Sequence, residues 1–176
     1  MSRETPNTLL PSDPAMPPLP RLASPVPNPV IRKRDAQGEG HFGAARNGGK
    51  RKHQGVDLVA AAGTPVTSAV SGVVTRIGWP YRNDSHYRYV EVTMEAGLIV
   101  RHFYVSPTVK MREPVEAGKT RLGTVQDLTR RYPGITNHLH LELRQAVQDH
   151  RADGEAAHRY DAYPVIDPTP LLPMQA

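Results

Sequence analysis

Short alternating apolar runs, frequent Gly and Pro between them, and only one weak helical candidate predict a mainly β chain. The expected architecture is an antiparallel β-sandwich or curled sheet with long loops forming a groove, preceded by a Pro-rich N-terminal arm. Residues 1–30 hold nine of the chain's 18 prolines. Proline fixes φ and lacks an amide donor, so this segment is expected to be extended and largely disordered. The remaining residues, 31–176, are read as one domain.

Within that domain Val66–Ala69 and Val73–Ile77 read as strands on either side of Ser71-Gly72. Tyr89–Met94 alternates, ends near the Glu95-Ala96-Gly97 turn, and Leu98–Val105 returns from it, which predicts an antiparallel hairpin. Leu122–Val125 and Leu139–Leu143 supply further strands, and Gln126–Tyr132 is the single helical turn considered. Two long polar segments, Trp79–Arg88 and Gln145–Tyr163, are expected to flank the groove. Trp79, Tyr81 and Tyr87 are candidates to stack on a ligand there, although for Trp79 a loop anchor is the favoured role.

The 176 residues contain no cysteine, which excludes disulfides and thiolate metal sites. No apolar stretch approaches the roughly 18 residues that a membrane span requires. The net charge of +5 is unevenly spread, with Arg32, Lys33 and Arg34 in one cluster and Arg46, Lys50, Arg51 and Lys52 in another just before His53. Such a rim attracts an anionic polymer. Specific nucleic-acid binding is disfavoured, because Phe and Trp total only three residues and no binding module surrounds the cluster.

Two motifs carry the chemistry. His53-Gln54-Gly55-Val56-Asp57 places a histidine four residues before a carboxylate, in a loop whose glycine permits close backbone approach. His138-Leu139-His140-Leu141-Glu142-Leu143 alternates strictly, so on a strand the two histidines and Glu142 share one face and the leucines the other. Together they form an inventory of zinc ligands, with one imidazole of the second motif able to bind metal and the other free for proton transfer. A catalytic zinc site keeps a position open for water and lowers its pKa to about 7. Glu142 is read either as an orienting partner of His140 or as a surface residue. His41, His86, His150 and His158 lie in polar, loop-like stretches and are read as bystanders.

The run from Arg46 to Val70, RNGGKRKHQGVDLVAAAGTPVTSAV, together with His138-Leu139-His140, resembles the lysostaphin/LytM-type zinc metalloendopeptidase family, which cleaves peptidoglycan. Weaker matches are Val115-Glu116-Ala117-Gly118 with Leu122-Gly123, and Val165-Ile166-Asp167-Pro168, so that the resemblance spans about residues 38–172. It implies zinc (Zn2+) bound by His53, Asp57 and His140, with His138 catalytic but not a ligand. One departure stands out: where the family carries Tyr-x-His-Leu-Ser, this chain has His102-Phe103-Tyr104-Val105-Ser106. Strand alternation would put residues 102 and 104 on one face, so both are candidate catalytic residues, Tyr104 as an oxyanion donor. A tyrosine is a poor base at neutral pH, given an unperturbed pKa near 10. A catalytically impaired module that binds cell wall or activates a partner is therefore the alternative.

The resemblance makes peptidoglycan the expected anionic partner and the periplasm or cell wall the expected place of action. The proline-interrupted N-terminus does not read as a secretory signal. The expectation is then a phage-encoded enzyme, one delivered by a secretion system, or one whose signal has been removed, with the arm or the groove available to a delivery or immunity partner.

Overall fold

The computed structural model describes residues 19–145 and 164–174. Twelve strands follow in chain order: β1 (Ala45–Arg46), β2 (Arg51–Lys52), β3 (Val56–Val59), β4 (Pro65–Thr67), β5 (Gly72–Gly78), β6 (Tyr89–Thr93), β7 (Leu98–Phe103), β8 (Val105–Pro107), β9 (Pro114–Val115), β10 (Arg121–Val125), β11 (His138–Gln145) and β12 (Val165–Ile166). All their pairings are antiparallel. A seven-stranded sheet runs β12-β11-β7-β6-β5-β9 with β3 also joined to β11, a smaller sheet runs β4-β10-β8, and β1-β2 is a separate hairpin. The mainly β class expected from the alternation is the class observed. The 126–132 segment makes turns and not a helix, and among the described residues no helix is long and apolar enough to cross a membrane.

The core lies between the sheets, where Leu58, Leu139, Leu141, Val74, Val90 and Val100 from the large sheet share one apolar cluster with Val66, Val105, Leu122 and Val125 from the small one. Each such fully buried Val or Leu side chain contributes about 1.5–3 kcal/mol. The leucines of β11 fill this core and leave His138, His140 and Glu142 on the opposite face, as period 2 requires.

The boundary of the N-terminal arm needs correction. Residues 1–18 lie outside the described residues, but the chain from Leu19 onward is part of the packed domain. Leu22 and Val26 are buried in the core, the Ala23 amide donates to the Ala69 carbonyl, and the Thr67 amide donates to the Pro25 carbonyl. Leu22, Val26 and Ile31 supply enough apolar surface to anchor this proline-rich stretch, and extended backbone needs no regular ladder to do so. Of the second long loop, everything after Gln145 to residue 163 lies outside the described residues.

Candidate metal centre

β3 and β11 build the floor of a cleft of about 470 Å³. Their register sets Asp57 directly opposite His140. The pairing depends on Gly55, because a Cβ there would collide with the Leu141 carbonyl oxygen and come within 2.8 Å of His140 Cε1. His53 enters from the end of the β1-β2 hairpin, its amide bonded to the Ala44 carbonyl at 2.8 Å.

Three atoms converge: His53 Nε2 lies 3.0 Å from His140 Nδ1, His140 Nδ1 lies 2.9 Å from Asp57 Oδ1, and His53 Nε2 lies 3.2 Å from Asp57 Oδ1. Ligands of a tetrahedral zinc with bonds of roughly 2.0–2.1 Å stand about 3.3 Å apart, so a small outward relaxation would admit the ion. The far nitrogens decide the donor set. His53 Nδ1–H donates to the His41 carbonyl at 2.8 Å, and His140 Nε2–H donates to Glu142 Oε1 at 3.2 Å. In neutral rings both facing nitrogens would then carry bare lone pairs, an arrangement that calls for a cation between them. The residues fit a zinc ion on these grounds. Glu142 is thus the orienting partner, itself held by Arg144 at 3.1 Å.

Asp57 presents one oxygen to this cluster because the other is occupied. Arg32 Nη2 and Nε donate to Oδ2 at 2.9 and 3.3 Å, and Arg46 Nη2 lies 3.6 Å away. Burial works to raise the Asp57 pKa, but hydrogen bonds from His140 and His53 and the charge of His140 hold it well below the usual carboxylate range. Burial likewise works against a charged His140, yet Asp57 and Glu142 outweigh it and raise its pKa to about 9.

His138 stands beside the triad without joining it. Its Nδ1–H donates to the Thr136 carbonyl at 2.8 Å, and its Nε2 lies 3.5 Å from Asp57 Oδ1. Burial lowers its pKa, which keeps Nε2 bare and available to accept a proton. Asn137, immediately before it, fixes the entry of β11 by donating to the carbonyls of Ala60 and Gln126 and accepting from the Leu128 amide.

Tyr104 reaches the cleft by a route that alternation does not describe. Its φ is +65°, a left-handed value that is a genuine outlier for a bulky residue. The flip turns consecutive side chains to the same side: Phe103 lies 5.2 Å from the His140 ring and Tyr104 5.7 Å from the His138 ring, centroid to centroid. The backbone is pinned there by the Tyr104 and Val105 amides, both donating to the Arg88 carbonyl, and by the Gln126 amide donating to the Tyr104 carbonyl. Burial raises the Tyr104 pKa, so the phenol is neutral and a donor.

His102 must be corrected. It pairs with Leu141 across β7 and β11, faces the core, and is fully buried, its Nε2 accepting the Ala69 amide at 3.1 Å. Burial pushes its pKa down to about 4. The strand ends between 103 and 104, so residues 102 and 104 do not share a face, and His102 takes no part in the cleft.

Among the three aromatic candidates of the 79–88 loop only Tyr81 lines the cleft. Tyr87 is buried with its hydroxyl donating to the Asp127 carbonyl, and Trp79 is exposed with the Arg88 guanidinium over its ring. Sequence reasoning missed Tyr132, whose hydroxyl bonds to Tyr81, and read Arg32 and Arg46 only as members of a basic rim. Nothing in the pattern of Arg32-Lys33-Arg34 distinguishes the buried arginine from its exposed neighbours.

Comparison with known proteins gives consistent results. The sequence model of Peptidase family M23 matches residues 51–154. Leukocyte cell-derived chemotaxin-2 of Bos taurus is 32% identical over 112 residues, covering 64% of this chain and 72% of that protein. Among solved structures, a putative glycyl-glycine endopeptidase lytM from Ruminococcus gnavus superposes with a TM-score of 0.50 at 25% identity, covering 72% of this chain and 48% of that one. Lysostaphin superposes with a TM-score of 0.53 at 19% identity, covering 82% of this chain and 54% of the other, which is a likeness of fold. With the family model spanning more than half its length, the chain belongs to peptidase family M23.

Proposed function

We propose that the chain is a zinc-dependent endopeptidase hydrolysing peptide cross-links or stem peptides of bacterial cell-wall peptidoglycan. The observation that carries this reading is the meeting of His53 Nε2, Asp57 Oδ1 and His140 Nδ1 beside a fourth, uncommitted imidazole nitrogen on His138. Zinc held by the three would supply Lewis acidity toward a peptide carbonyl and activate water as nucleophile. His138 Nε2 is placed to take a proton and return it to the leaving amine. Tyr104 donates its hydroxyl to the oxyanion that develops from the scissile carbonyl. Arg51 and Lys52, exposed on the cleft wall beside Arg46, favour an anionic polymer as substrate. Action in the periplasm or cell wall follows from that substrate, reached by phage, by a secretion system, or after loss of a signal, with the cleft or the arm available to a delivery or immunity partner.

A second reading is favoured by one specific observation. Tyr104 stands where the resemblance expects a histidine, and a buried neutral phenol does not replace an imidazole in proton transfer. On that reading the chain binds wall fragments or a partner through the same cleft and does not turn over. Metal content of the purified protein, paired with digestion of sacculi and mass analysis of the released peptides, separates the two. One zinc per chain with defined peptide products supports the enzyme; bound zinc with intact sacculi would leave only the binding module.

A further inference from the structure

The cleft lining carries three phenols in a row. The Tyr132 hydroxyl donates to the Tyr81 oxygen at 2.9 Å, and the Tyr81 hydroxyl lies 3.0 Å from that of Tyr104. At the head of the row, Arg131 Nε–H donates to the Tyr132 oxygen at 3.4 Å, and its guanidinium sits 4.0 Å above the Tyr81 ring. Asp84 holds that guanidinium at 2.9 Å. A hydroxyl has one proton to give, whereas a guanidinium only gives. Either hydroxyl can be the donor in the Tyr81–Tyr104 bond, and with Tyr132 spending its proton on Tyr81, the Tyr81 proton is free to go to the Tyr104 oxygen. In that direction the Tyr104 proton has the cleft to face.

We propose that Arg131, Tyr132 and Tyr81 form a one-way hydroxyl chain that aims the Tyr104 O–H into the cleft as a donor to a developing oxyanion. Tyr81 and Tyr132 act through Tyr104 and are positioning residues. The identity of the oxyanion, a tetrahedral centre formed from a peptide carbonyl, rests on the endopeptidase reading; the direction of the chain does not. Donor strength rises along such a row, because each phenol that accepts a hydrogen bond gives its own proton more readily. The arrangement also explains how the site dispenses with a second imidazole at position 104: the reaction there needs a fixed dipole, which a backed phenol supplies without a change of charge.

The groups facing Tyr104 set the background against which direction is read. His138 and His140 face it from β11, Tyr87 and Tyr81 from the 79–88 loop, and Asp57 and Glu142 act on it through their negative charge. Replacing Tyr81 or Tyr132 by Phe removes one hydroxyl and keeps the ring, leaving these groups in place.

The test incorporates 3,5-difluorotyrosine at position 104, which brings the phenol into an accessible range, and follows its ionisation by 19F NMR in metal-free and zinc-loaded protein. If Tyr81 donates to Tyr104, that bond stabilises the phenolate, so Tyr81→Phe raises the ionisation pH and Tyr132→Phe raises it by less. A fall in Tyr81→Phe would mean that Tyr104 is the donor and the chain runs outward, which overturns the proposal, as does no change in either variant. In parallel, peptide hydrolysis should show kcat about tenfold lower in Tyr81→Phe with KM unchanged. An effect on KM alone overturns the positioning role. A rise in the 19F titration together with an inert wild-type protein upholds the chain and refutes the endopeptidase reading, so the two failures are distinct.

Discussion

Arg32 offers the sharpest test of how the acidic ligand is held. Its guanidinium is buried between Asp57, at 2.9 Å, and Asp35, at 2.6 Å, and donates to the Gly38 carbonyl at 2.8 Å. Arg32→Met keeps the length of the side chain and leaves these acceptors without it. Breaking a buried ion pair from one side costs about 3–5 kcal/mol, since the remaining charge stays desolvated. For a domain of this size about 2–4 °C of Tm accompanies each kcal/mol, so 3 kcal/mol corresponds to a drop of roughly 6–12 °C. Two effects then compete when zinc is added. Loss of an orienting partner typically weakens a metal site about 10–100-fold, or roughly 1.4–2.7 kcal/mol. Removing a cation roughly 6 Å from a divalent ion, however, relieves repulsion worth about 5–6 kcal/mol at an effective dielectric constant near 20. The Coulomb effect wins, so zinc should recover part of the loss. Denaturant unfolding at neutral pH, with chelator and with excess zinc, measures both quantities. A metal-free variant within 1 kcal/mol of wild type refutes the ion-pair argument, and a larger deficit with zinc than without it refutes the electrostatic ordering. The acid limb adds a sign check. The Asp57 pKa is depressed in the fold, so its contribution is present above the ordinary value of 3.8 and is lost as pH falls through the folded value. Without Arg32 that loss should begin at higher pH.

Three further outcomes follow from the site. His140→Ala should abolish zinc binding and hydrolysis together, whereas His138→Ala should keep one zinc per chain and lose most of kcat; unchanged turnover in the second variant removes its assigned proton role. Tyr104→Phe should lower kcat by about 100-fold with little change in KM, and an unaffected rate would make the phenol a bystander. In the metal-free protein the His140 contribution to stability is fully present below its ordinary pKa of 6.5 and is lost as pH rises through about 9. Zinc must displace that proton, so binding near pH 7.5 should release about one proton per ion. Calorimetry in buffers of different ionisation enthalpy reads this number, and a value near zero would contradict the raised pKa.

Much of the candidate metal centre was legible because its chemistry is local. His138, His140 and Glu142 lie on one strand, where alternation alone assigns them a common face, and the leucines between them identify the buried side. The spacing from His53 to Asp57, with Gly55 between, could be read as a close-packed turn, and the missing Cβ is what lets β3 lie against β11. What was not legible depends on tertiary partners. Arg32 is buried and Lys33 exposed, yet the distinction arises from Asp57 and Asp35, residues that only the fold brings to one of them. Likewise the proline-rich stretch from Leu19 to Val30 carried no periodicity, and its place in the domain comes from Leu22 and Val26 entering the core, with Leu19 packed against it.

Tyr104 shows the limit most clearly, because there a local rule was applied correctly to a residue that escapes it. Alternation through 102, 103 and 104 holds only for extended backbone, and a tyrosine gives no sign of leaving it as glycine or asparagine would. A strained residue of this kind costs of order 1–3 kcal/mol and persists where its surroundings over-determine it. They do so here: three backbone hydrogen bonds hold residues 104 and 105, and the Gln126 side chain clamps the Arg88 amide and the His86 carbonyl on the loop that receives two of them. At about 0.5–1.5 kcal/mol each, those bonds are sufficient to offset the strain. The flip brings Tyr104 within reach of Tyr81 and, through it, of Tyr132, whereas His102, still on regular β7 opposite Leu141, keeps the core-facing side. The exclusion of an imidazole from the cleft and the placement of a phenol in it thus have separate local causes: regular alternation along β7, in register with Leu141, buries His102, and the left-handed residue that follows the strand turns Tyr104 away from that face.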